Sequence, residues 1–72
     1  MSRPADPERI FEAQGAGVRG RLMGTGMQPE TADRWLDAWL LEATGRGLPK
    51  DGAYWQAGWD WIAAERRARR PG

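Results

Sequence analysis

The sequence predicts an all-α fold, a small three-helix bundle whose short loops contain glycine and proline. Three observations carry that expectation. Apolar residues recur at helical spacing in three stretches, each opened by residues that start helices and closed by glycine or proline. No stretch shows the strict apolar–polar alternation of a half-buried strand. The 72 residues make one small domain, and connections of a few residues between three such helices are ordinary for a bundle.

The first helix is expected over residues 7–23. Asp6 suits the N-cap, Pro7 fits the first helical position because its missing N–H has no partner there to lose, and Glu8 lies at the positive end of the helix dipole. Ile10, Phe11, Gln14, Val18 and Leu22 fall on one face, with Glu12 and Arg19 opposite. Gly24 or Gly26 can adopt the left-handed conformation that ends a helix. Ala13, Gly17 and Gly20 make a smooth strip open to another backbone or to a tryptophan face. The same glycines weaken the helix by about 1 kcal/mol each relative to alanine.

The second helix, over residues 29–44, has the clearest pattern. Pro29 takes the first position, and Glu30 and Asp33 lie early, where the dipole favours acid. Ala32, Trp35, Leu36, Trp39, Leu40 and Ala43 form an unbroken apolar stripe. Gly45 or Gly47 stops the helix and Pro49 prevents its continuation. Leu41 lies diametrically opposite the stripe with no local reason to be apolar. Leu22-Met23-Gly24-Thr25-Gly26-Met27, ahead of Pro29-Glu30-Thr31-Ala32, resembles the glycine loop between the first two helices of ubiquitin-associated-type three-helix bundles. The likeness covers those positions only, Thr25 stands where that family has an aromatic residue, and no function follows from it.

The third helix is expected over residues 52–69, with Asp51 as N-cap. Trp55, Trp59 and Ile62 line one side, and Tyr54, Ala57, Trp61, Ala64 and Ala68 a second. Gln56, Asp60, Ala63 and Arg67 form the outer strip. A helix apolar over so much of its circumference is either the central member of the bundle or covered by a partner. Residues 1–5 and 71–72 are expected to be loose.

Composition narrows the chemistry. The chain has no cysteine and no histidine, which excludes disulfides and the standard zinc sites, and leaves none of the usual activated nucleophile–base pairs. Its single lysine, Lys50, falls in a loop, and its single serine, Ser2, falls near the start. Gly15-Ala16-Gly17-Val18-Arg19-Gly20 spells GxGxxG, but a helical segment precedes it where the dinucleotide fingerprint needs a strand. Glu30, Asp33 and Asp37 share a helical face, which reads as a solvated acidic surface. No enzyme activity, metal or cofactor is therefore expected. Alanine, glycine, arginine and proline make up half the chain, a bias suggesting a G+C-rich bacterial genome. The start lacks the apolar stretch of a signal peptide, and no apolar run approaches a membrane span, so the expected location is the cytoplasm.

What remains points to binding. Formal net charge is only +1, yet Arg66, Arg67, Arg69 and Arg70 cluster near the C-terminal end. They are assigned three possible roles: complementing the helix dipole with a Glu65–Arg69 pair, answering the acidic face, or contacting phosphates. Of the five tryptophans, Trp35, Trp39, Trp55 and Trp59 read as core, and Trp61 is left between core and surface. The expected function is a small helical protein-interaction or accessory domain, self-associating as a homodimer through the aromatic face or meeting a protein partner. The candidate partner-binding residues are Leu41, Tyr54, Trp61, Arg66, Arg67, Arg69 and Arg70. The alternative is a weak nucleic-acid-binding module built on the arginines.

Overall fold

Asp6 opens the first helix by accepting a hydrogen bond from the Glu8 amide at 3.0 Å, with Pro7 following at the first helical position. In the computed structural model, which describes residues 6–69, α1 is Pro7–Gly24, α2 is Pro29–Arg46 and α3 is Tyr54–Ala68. The three helices pack pairwise against one another, and no strand occurs among the described residues. The chain is a small three-helix bundle. The ends expected to be loose, 1–5 and 71–72, lie outside the described residues, as does Arg70.

Helix ends follow from local chemistry, with two adjustments. α1 closes on Gly26, at φ 94°, with the Gly26 amide donating to the Met23 carbonyl at 2.9 Å. The Thr25 hydroxyl donates to the Leu22 carbonyl at 2.6 Å. α2 runs past the expected residue 44 because Gly47, at φ 67°, is the glycine that turns left-handed. The Leu48 amide then reaches back to the Ala43 carbonyl at 3.0 Å and the Gly47 amide to Thr44 at 3.1 Å, the paired bonds of a Schellman close. α3 begins at Tyr54, later than expected. The Asp51 carboxylate accepts from the Ala53 amide at 3.0 Å and the Asp51 carbonyl from the Tyr54 amide at 3.2 Å, so Asp51 caps a tight turn ahead of the helix.

The core is built from Val18 and Leu22 of α1, Ala32, Trp39 and Ala43 of α2, and Tyr54, Trp55 and Ile62 of α3. The α2 stripe packs as expected, with Trp35, Leu36 and Leu40 half-buried beside it. On α1 the buried line differs from the one expected: Ile10 and Gln14 are exposed, and Gly15 is buried between Phe11 and Val18. The physical reason is Trp55. A Cβ on Gly15 would stand 2.8 Å from its Cζ2, and the Trp55 indole N–H donates to the Phe11 carbonyl at 3.0 Å. The strip of Ala13, Gly17 and Gly20 is exposed, and a Cβ at either glycine would meet nothing within 4 Å among the described residues. A second socket lies on α3, where a Cβ on Gly58 would stand 2.5 Å from Trp39 Nε1.

Candidate functional site

The end of α3 carries Arg66 and Arg67 in its last turn, where positive charge complements the carbonyl end of the dipole, and Arg69 just beyond. Because α3 runs antiparallel to α2, these arginines face the start of α2 and the loop that leads into it. Thr25, Met27, Thr31 and Trp35 come from that side, and together with Ala63 and the three arginines they line an open groove of about 640 Å³. The Arg69 guanidinium lies 5.0 Å from the centre of the Trp35 ring, a cation–π contact. Trp35 meets Trp61 edge-on at 6.3 Å, and Trp61 lies 5.8 Å from the buried Trp39. The ring in the groove is thus held by a row of indoles that ends in the core.

Charge in the groove is unbalanced. Among the described residues its lining holds three guanidinium groups and two hydroxyls but no carboxylate. The ion pairs among the described residues are Arg19–Asp33 and Arg46–Glu42, each at 2.7 Å. Asp33 accepts from Arg19 and thereby holds that guanidinium's pKa above its ordinary value. Of the acidic face, Asp33 is thus paired from α1, and no Glu65–Arg69 pair occurs among the described ion pairs. Arg69 lies over an aromatic ring instead. Comparison with family models, curated proteins and solved structures found no match. The chemistry of the groove therefore stands on its own residues. It can bind an anion beside an apolar surface, and it lines up no base with either threonine.

The remaining candidates separate. Leu41 is 77% exposed on the outer side of α2. It shares a shallow depression with half-buried Trp61, together with Ala38, Glu42, Gly45 and Arg46. Tyr54 joins neither surface. It is buried in the core, with ring centres 5.1 Å from Phe11, 5.2 Å from Trp55 and 5.5 Å from Trp39. That burial raises its phenol pKa. The second side of α3 is thus divided: Tyr54 turns inward, Trp61 bridges core and surface, and Ala64 and Ala68 are exposed.

Trp35 is the groove residue that sequence reasoning assigned only to the core. Its position nearly two turns inside α2, level with the end of an antiparallel α3, is the signal that places it at the rim. Arg21 makes a similar contact elsewhere, 3.9 Å from the Trp59 ring, which covers the exposed side of that indole. No helix among the described residues is long and apolar enough to cross a membrane.

Proposed function

We propose that the protein is a non-enzymatic interaction domain whose groove between Trp35 and Arg69 takes an acidic segment of a protein partner. The observation that supports this reading is that Arg66, Arg67 and Arg69 line one groove with Trp35, Arg69 lying over its ring, and no carboxylate among the described residues joins them. Guanidinium groups bind carboxylates through paired, charge-assisted hydrogen bonds. Trp35 and Met27 supply apolar surface for a side chain beside the acid. Weak binding of nucleic acid by the same arginines is the competing reading. Three cations neutralise few phosphates, and Glu30 and Asp33 open the adjoining helix, so an extended strand gains little beyond the groove.

A titration separates the two. A fluorescent peptide of glutamates and aspartates with one aromatic residue is compared with a single-stranded oligonucleotide of equal charge. The expected result is peptide binding that weakens as salt rises and falls at least about tenfold in the Arg66→Gln/Arg67→Gln/Arg69→Gln variant, with helicity unchanged. Binding of the strand alone transfers the site to nucleic acid. Binding of neither ligand at low salt removes both readings.

A further inference from the structure

A single exposed leucine is ordinary on a soluble protein, so the setting of Leu41 matters more than its exposure. Ala38 and Gly45 precede and follow it on the same side of α2, keeping the helix surface low on both sides. Glu42 and Arg46 occupy one flank, four residues apart and paired at 2.7 Å, and Trp61 of α3 walls that flank. When two copies of a helix pack antiparallel about a twofold axis, each flank meets the same flank of the other copy in reversed order. An acid and a base four residues apart are complementary to their own reverse.

With the axis level with Thr44, Glu42 comes level with Arg46 of the second copy, and Arg46 with its Glu42. Leu41 then comes level with the stretch from Gly45 to Leu48 of the second copy. Gly45 has open space around it, which lets the two backbones approach. Leu48 is itself 37% exposed and supplies an apolar neighbour.

We infer that the outer face of α2 is a self-association surface. Its occupant is a second, antiparallel copy of this chain, with Leu41 seated between Gly45 and Leu48 of that copy and the Glu42–Arg46 pairs exchanged across the twofold axis. One patch serves both chains, which closes the assembly at two. The surface is built from residues outside the arginine groove, so it stands whether or not the groove binds an acidic segment. The patch is small, and the dimer forms at high concentration.

Sedimentation equilibrium over about 10 µM to about 1 mM tests it. The mass is expected to rise from that of the 8.1 kDa chain and level off at twice that value. Leu41→Glu is expected to stay monomeric at every concentration with wild-type circular dichroism. The charge order is tested by two exposed changes. Glu42→Arg and Arg46→Glu are each expected to weaken self-association about tenfold, while their equimolar mixture dimerises. The double variant Glu42→Arg/Arg46→Glu is expected to recover the wild-type behaviour. A wild-type mass that stays at one chain up to about 1 mM overturns the inference. So does growth past two chains without a plateau, or a mixture of the single variants with no excess of the mixed dimer. If Leu41→Glu loses helicity, the charge variants decide alone.

Discussion

A methyl group on Gly58 would stand 2.5 Å, 2.6 Å and 2.8 Å from three atoms of the Trp39 ring, and that ring is fully buried. The indole cannot move aside without disturbing Tyr54 and Trp61, which pack on it at 5.5 Å and 5.8 Å. Its N–H has no hydrogen-bond partner among the described residues, a cost of about 1–3 kcal/mol that the ring's burial offsets. Gly58→Ala is therefore expected to destabilise the fold by about 2–3 kcal/mol, the clash outweighing the better helix propensity. Gly15→Ala should also destabilise, by about 1 kcal/mol, because Trp55 is tied by its indole N–H to the Phe11 carbonyl and cannot yield freely. Gly17→Ala lies in the same helix as Gly15 and meets nothing within 4 Å. It should stabilise by up to about 1 kcal/mol. Urea denaturation of the three variants reads the signs directly. A gain in stability at position 58 or 15 would show that the ring is not seated on the glycine.

The same two glycines explain how far each helix could be read from the chain. On α2 the core stripe is made of side chains, from Ala32 to Ala43, and periodicity recovers it in full. On α3 the centre of the buried face is Gly58, flanked by Tyr54 on one side and Trp55 and Ile62 on the other. A residue without a side chain contributes nothing to an apolar stripe, so one broad face reads as two. Tyr54 consequently looks like part of an outer surface when it is core. On α1, Gly15 has the same effect, and Ile10 and Gln14 take its place in the pattern while both are exposed. Helix ends are legible where a single conformation decides them. Gly47 at φ 67° fixes the end of α2, whereas Gly45 lies inside the helix with open space around it. Gly47→Ala is expected to destabilise by about 1 kcal/mol, since a Cβ there is strained, and Gly45→Ala to stabilise by a similar amount. Thermal melts at low protein concentration check both, and equal effects at the two positions would contradict the left-handed close. The groove was only half legible: the arginines announce themselves in sequence, but Trp35 joins them through the antiparallel meeting of two helix ends.

At the scale of the molecule, the three helices meet through aromatic rings. Phe11 of α1, Trp39 of α2 and Trp55 of α3 all pack on Tyr54, whose phenol is the titratable group enclosed by that cluster. Burial disfavours the phenolate and pushes the Tyr54 pKa above its ordinary value near about 10. With the folded value raised, the neutral phenol is the form the fold stabilises. That contribution is complete below the unfolded-state pKa and is lost as pH rises through the folded one. The window is thus alkaline. Because rings from all three helices pack on Tyr54, its ionisation is expected to loosen the bundle as a whole, so loss of the phenol proton and loss of helix should occur together. Tyrosinate absorbance and far-UV circular dichroism are expected to change in one transition above about pH 10. Tyr54→Phe keeps the ring contacts and removes the proton, so its urea midpoint should fall less between neutral and strongly alkaline pH than that of the wild type. The guanidinium of Arg19 stays charged throughout that range and leaves its pair with Asp33 intact, so the surface ion pair cannot produce the difference. An equal alkaline loss in the two proteins would place the weak point outside the aromatic cluster.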